Sequence, residues 1–197
     1  MQRSKIPLSV LAAIQCACVA EPELLNSERI EQTFGNYNIE VIHSDDQFRQ
    51  SVLSSKQDDV VTARTFAVTR FSDAISSKFQ NEHSAIIKGA SIGSTLKSAG
   101  WTVLKASLHV GHVDIDDADH PVLEMMRLDA PSTLAIHIYK LSVRKNDESI
   151  EYATITELHH PDYLDVSKLR ELFPVEPSID SPQGQVDEII TIILDAA

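Results

Sequence analysis

The chain reads as an α+β protein, a mainly antiparallel sheet of about six strands with helices packed on it. Three observations predict this. Six runs rich in β-branched and aromatic residues are separated by polar turns. Most neighbouring runs are joined by hairpins or short connections, which favours antiparallel pairing. The helical patterns are short and fall between the runs, and no internal repeat stands out.

The first twenty residues have the pattern of a secretory signal. Arg3 and Lys5 make a basic start, residues 6–17 an apolar stretch, and Cys18-Val19-Ala20 a small-x-small cleavage site after Ala20. The expectation is therefore a secreted or periplasmic protein with a mature part of residues 21–197 and no integral membrane segment in it. Both cysteines, Cys16 and Cys18, fall inside the signal, so the mature part has no disulfide and no thiol chemistry. The formal net charge is −12 over 197 residues. Once Arg3 and Lys5 leave with the signal, fifteen basic residues face 29 acidic ones. That balance argues against a nucleic-acid partner. An anionic small molecule would need buried arginines.

Asn26-Ser27 offers a helix N-cap, with Glu28 in the first turn and Gly35 closing the helix. Residues 38–42 alternate as a strand. Residues 47–55 follow as another, with Arg49, Ser51 and Leu53 on one face. Lys56-Gln57-Asp58-Asp59 is a hairpin signal without the usual glycine, and residues 60–71 return as a long strand carrying Arg64. A mainly helical stretch covers 72–88, and a second short helix lies within 89–100. Residues 101–110 form a strand, and 111–120 an acidic irregular segment. Pro121 opens a short helix over 122–128. Residues 133–144 are apolar on both faces (Leu134, Ile136 and Ile138 opposite Ala135, His137, Tyr139 and Leu141) and predict a covered central strand. Residues 149–158 form a hairpin with it, and Pro161 stops them. The domain expected from this is 21–165. A tail, 166–197, follows: a short helix at 166–172, a proline-containing linker, and an amphipathic helix carrying Val186, Ile189, Ile190, Ile193 and Leu194. That last helix either docks on its own domain or fills a partner's groove; the sequence names no protein partner.

Several chemistries lack their patterns. There is no Gly-x-Ser-x-Gly elbow, no phosphate loop and no His-x-x-x-His helix. The His109–His120 stretch holds oxygen ligands suited to Ca²⁺ more than Zn²⁺, but without EF-hand spacing it reads as a solvated acidic loop, and no metal is assigned. What remains is an arginine–glutamate pair on separate strands, Arg49 and Glu157. Arg49 could supply bidentate donors to a carboxylate, and Glu157 could accept from or pass a proton to a hydroxyl. A structural salt bridge is the alternative.

The order of segments resembles the chorismate lyase family. Ser27-Glu-Arg-Ile-Glu-Gln-Thr-Phe34 followed by Ile39-Glu-Val-Ile42 is similar to the family's opening helix and strand. Phe48-Arg49-Gln-Ser-Val-Leu53, Ala63-Arg64-Thr65 and the Gly89–Leu96 segment follow in the family's order. Thr156-Glu157-Leu158, with Pro161 and Tyr163, is similar to its closing strand. The likeness covers roughly residues 26–164. It implies a cofactor-independent site for a small aromatic or cyclic carboxylate, with Arg49 on the ligand carboxylate, Glu157 at the hydroxyl end and Arg64 as a second anion contact. It also implies an activity, elimination of pyruvate from chorismate to give 4-hydroxybenzoate, driven by aromatisation of the ring. The chain departs from the enzymes at Gln50, where they carry an acid, and at Ala135–Tyr139, which is not arginine-rich. Residues 128–141 look more like the related ligand-binding domain of bacterial transcription regulators. A non-catalytic ligand-binding module is therefore the alternative function.

Overall fold

A computed structural model describes residues 24–174 and Thr191. The expected signal over residues 1–20 lies outside the described residues. So do the proline-containing linker and, Thr191 apart, the amphipathic C-terminal helix. Six strands form one antiparallel sheet: β1 (Asn38–Ser44), β2 (Phe48–Gln57), β3 (Val60–Phe71), β4 (Thr102–Ile115), β5 (Ser132–Lys145) and β6 (Glu148–His159). Their spatial order is β1-β2-β3-β6-β5-β4, so β3 and β6 lie at the centre. Among the described residues, no helix is long and apolar enough to cross a membrane.

Helices cover both faces. On one face, α4 (Pro121–Met126) sets Val122, Leu123 and Met126 against Val52, Phe66, Val68, Ile136, Ile138 and Leu158. The other face is shared by α1 (Asn26–Phe34), α2 (Gln80–Ile87), α3 (Ile92–Ser98) and α5 (Val166–Leu172). Because both faces are covered, β5 carries buried residues without alternation from Leu134 to Tyr139, as its sequence predicts.

Four local differences from the sequence reading have physical causes. First, the acidic segment is not irregular from residue 111. β4 continues to Ile115, because Val113 and Ile115 turn into the core under α4 while His112 and Asp114 face water. Second, the β2–β3 turn needs no glycine. Asp58 and Asp59 both adopt left-handed backbone (φ 47° and 65°), the pair of positive angles a two-residue hairpin requires. Third, helix geometry in 72–88 begins only with a 3₁₀ turn at Ser77–Phe79, where the Ser76 hydroxyl accepts from the Lys78 N–H. Fourth, α1 starts at Asn26, not after it. Leu25 occupies the cap position and its N–H donates to Glu28 Oε2 at 2.7 Å, while the Asn26 side chain turns inward. Glu28 also pairs with Lys97 of α3 at 2.7 Å, tying the two helices together.

A tight contact between α3 and the N-cap of α1 falls at Gly93. A Cβ there would lie 2.3 Å from Leu25 Cδ1 and 2.7 Å from Cδ2, and Leu25 is buried. Overpacking of this kind typically costs about 1–3 kcal/mol. Gly93→Ala should therefore lower the midpoint of thermal unfolding in the wild-type background. In a Leu25→Ala background the same change should be neutral or stabilising, since Ala is the better helix former. Equal effects in both backgrounds would sink this account of the contact.

Candidate functional site

The face of the sheet under α1 and α3 is where the polar residues collect. Strand parity places Arg49, Ser51 and Leu53 of β2 on it together. Antiparallel register then fixes their neighbours. Arg49 pairs with Thr69 of β3 and Thr69 with Ile155 of β6; Ser51 pairs with Ala67 and Ala67 with Glu157. Arg49 and Glu157 thus sit two strands apart, about 10 Å across the sheet. The floor between them carries the small side chains of Ser51, Ala67 and Thr69. With the first turn of α1 and the start of α3 as a roof, these leave a partly open cavity of about 70 Å³. Arg49 and Glu157 both line it.

Arg49 is 2% exposed. Its Nη1 donates to two backbone carbonyls, Ile86 O at 3.0 Å and Ala90 O at 2.7 Å, at the end of α2 and in the link to α3. Its Nε is buried and has no partner among the described residues. Burial pushes the guanidinium pKa down, and the one charge effect on it comes from Tyr152, not from a carboxylate. Arginine nevertheless stays charged in proteins.

Glu157 is also buried, at 5% exposure. Its Oε1 accepts from the Tyr139 hydroxyl at 3.1 Å, and its Oε2 lies 3.9 Å from His159 Nε2. Burial raises its pKa, against the opposing pull of Lys105, the Tyr139 hydrogen bond, Arg29 and Asn26. The carboxyl is held toward its neutral, proton-donating form.

Two buried histidines flank it. His137 pairs directly with Glu157 across β5 and β6, stacks on Phe173 and has Nε2 2.9 Å from Ser107 Oγ. His159 has Nδ1 3.0 Å from Thr65 Oγ1, which also accepts from Asn26 Nδ2. His137 Nδ1 and His159 Nε2 are buried without partners among the described residues. Burial pushes the His137 pKa down to about 2 and that of His159 down to about 3.

Arg64 is elsewhere. It falls at a bulge in the β2–β3 register, with Thr65 opposite Leu53 and Ala63 opposite Ser54. Its guanidinium lies 3.8 Å over the Phe34 ring, and its Nε donates to Ser55 Oγ at 2.9 Å. Phe34 ends α1 whereas Asn26 and Ser27 at the start of α1 line the cavity, about 12 Å away along the helix. Arg64 does not line the cavity. Sequence reasoning passed over Tyr139, Lys105 and Asn26. Tyr139 stood on the correct face of its strand by parity, but Lys105 resembled any solvent lysine and Asn26 any helix cap.

A larger polar groove of about 720 Å³ runs beside α2, from Asp46 to Ile87. None of its lining residues carries one of the buried, unpartnered polar atoms found among the described residues, whereas Arg49, which lines the cavity, does. Among the described residues, no group of three His, Cys, Asp or Glu side chains could hold a metal ion.

No family model and no curated protein matches the chain. Among solved structures it is similar to a possible transcriptional regulator, YydK, from Bacillus subtilis. That match has a TM-score of 0.45 and 10% sequence identity, and it covers 79% of this chain and 67% of the regulator.

The buried histidines give stability a definite pH dependence. Each binds no proton in the folded state where the unfolded chain, with a pKa near 6.5, would bind one. Stability is complete above about pH 6.5 and falls as pH drops toward 3. Glu157 has the opposite sign: its contribution is complete below about pH 4.5 and is lost as pH rises through its raised folded value. His159→Asn keeps a group for Thr65 but does not titrate. It should flatten the fall of the unfolding midpoint between pH 6.5 and 3. An unchanged slope would show that His159 is not a source of acid lability.

Proposed function

We propose that this chain binds a small cyclic or aromatic carboxylate in the Arg49–Glu157 cavity, as an exported, non-catalytic ligand-binding module. One observation carries the reading. Arg49 is a buried cation whose Nη1 is spent on two backbone carbonyls, whose Nε has no partner, and whose pKa is influenced by no neighbouring carboxylate. An arginine held this way has its Nε still to be satisfied, and a carboxylate matches a guanidinium in shape and charge. The volume of about 70 Å³ limits the buried part of the ligand to one small ring or a short chain.

A second reading is favoured by Glu157. A carboxyl with a raised pKa, hydrogen-bonded to Tyr139 at the far end of the cavity, suits a ligand hydroxyl or ether oxygen. That is the arrangement the chorismate lyase resemblance calls for. In this reading the chain positions chorismate with its carboxylate on Arg49 and excludes water while the enolpyruvyl C–O bond breaks, giving pyruvate and 4-hydroxybenzoate. Export in either case rests on the signal-like pattern of residues 1–20.

Arg49→Lys separates the ligand's arginine from the fold's arginine. A lysine ammonium can still serve the two carbonyls but offers no fork. The variant should unfold near the wild-type midpoint yet lose about 10- to 100-fold in affinity for 4-hydroxybenzoate by titration calorimetry. Arg49→Ala should instead lower stability by about 1–3 kcal/mol, because the Ala90 carbonyl loses its donor and the Ile86 carbonyl keeps only the Gly89 N–H. Retained affinity in Arg49→Lys would refute the carboxylate site. Pyruvate release from chorismate by wild type, lost in Glu157→Gln, would establish the lyase; binding without turnover leaves the module.

A further inference from the structure

We infer that Phe173 sets the size of the ligand: its ring closes the cavity beyond Glu157 and confines the ligand to one ring with nothing larger than a hydroxyl at that end. The inference rests on the carboxylate reading above and deepens it. Sheet register carries it. Ser51, Ala67 and Glu157 stand side by side across β2, β3 and β6, and all three line the cavity. The next position in that row is His137 of β5, directly opposite Glu157. His137 does not line the cavity, and the Phe173 ring lies stacked on it, with centroids 4.0 Å and planes 24° apart. The floor of the cavity thus continues beneath Phe173, about 4.8 Å beyond Glu157. A ligand with its carboxylate on Arg49 and its other end at Glu157 points that way. Glu157 is two strands from Arg49 in the sheet order, and His137 is one strand further in the same direction.

The ring is held in place from several sides. Phe173 is buried, and its N–H donates to the Leu169 carbonyl at 2.8 Å, continuing the last turn of α5. Leu169 is itself buried in the core under α5, and the Asp165 side chain accepts from the Lys168 N–H at 2.9 Å at the other end of the helix. Around the ring, Arg29 of α1 lies 5.2 Å and Lys105 of β4 5.6 Å from its centroid. A planar ring between an imidazole face and two cationic side chains is favourably placed. Phe173 thus fills a position that would suit the second ring of a ligand. A substituent longer than a hydroxyl at the Glu157 end would have to displace it, and a ring packed this closely yields only at a cost. Phe173 also lies past residue 164, outside the stretch that resembles the chorismate lyase family, so the resemblance assigns it no role.

The test is titration calorimetry of the full chain with benzoate and with biphenyl-4-carboxylate, whose second ring extends from the end that the first presents to Glu157. The proteins are wild type, Phe173→Leu, Phe173→Ala, Arg49→Lys and the double variant Phe173→Ala/Arg49→Lys, with thermal unfolding to show that each is folded. Wild type should bind benzoate about tenfold or more tighter than biphenyl-4-carboxylate. Phe173→Ala should raise the affinity for biphenyl-4-carboxylate about tenfold or more and leave that for benzoate within about threefold. Phe173→Leu should fall between wild type and Phe173→Ala. If Phe173→Ala does not fold, Phe173→Leu decides: a gain for biphenyl-4-carboxylate supports the inference and no gain overturns it. Wild type that binds both ligands equally well overturns it. So does a gain in Phe173→Ala that survives Arg49→Lys, which would put the biphenyl in the space left by the ring and not in the cavity. Failure of benzoate to bind wild type, or its indifference to Arg49→Lys, would overturn the carboxylate reading itself and this inference with it.

Discussion

The buried guanidinium of Arg49 sets most of the architecture around the cavity. Taking a cation out of water costs several kcal/mol unless hydrogen bonds replace the lost solvation. Here they come from the Ile86 carbonyl, which also accepts from the Gly89 N–H, and from the Ala90 carbonyl in the link to α3. One side chain thus resolves two problems of burial at once. It also fixes α2 and the link to α3 at a set height above β2. Since Ser91, Ile92 and Gly93 follow directly, the roof of the cavity inherits its position from Arg49. The Glu28–Lys97 pair and the Gly93–Leu25 contact then carry that position on to α1.

The two faces of the sheet are built on different principles. Under α4 the core is apolar and needs only volume to be matched. Under α1 and α3 the sheet buries Arg49, Glu157, His137 and His159, and among the described residues one nitrogen each of Arg49, His137 and His159 has no hydrogen-bond partner. A domain selected for stability alone would favour apolar residues of similar size there. Groups so placed are costly to bury, and under the function proposed above a ligand would relieve those that line the cavity, Arg49 and Glu157. The unpaired atoms are therefore better evidence of a site than the size of the cavity. By size alone, the groove beside α2 would have been chosen.

Much of the fold was legible because its signals are local. The limits of β3 follow from an unbroken β-rich run between Asp59 and Ser72, and the β5–β6 hairpin from two such runs around Asn146-Asp147. Parity placed Arg49 with Ser51 and Leu53 without knowledge of the fold. What was missed depends on tertiary context. Asn26 has the chemistry of a helix cap, and what drew it inward is Thr65, 39 residues away, together with Tyr163. The strand through Val113 and Ile115 was hidden by its acidic outward-facing partners, although the alternation was present in the sequence.

Arg64 and Lys105 show where parity stops being enough. Both are long cations on strands, and a sequence reading favours the arginine. Strand parity says which face a residue takes, provided the strand is regular. A bulge at Arg64 breaks that condition and sends the guanidinium to the far end of α1. Lys105 belongs to the last strand in the sheet order, two positions beyond Glu157. Its relation to the site appears only once β5 is known to lie between β4 and β6. Sheet order, not local sequence, decides which side chains converge on a cavity. A site assembled from strands distant in sequence is therefore least legible at its outermost contributor, here a lysine over the Tyr139 ring.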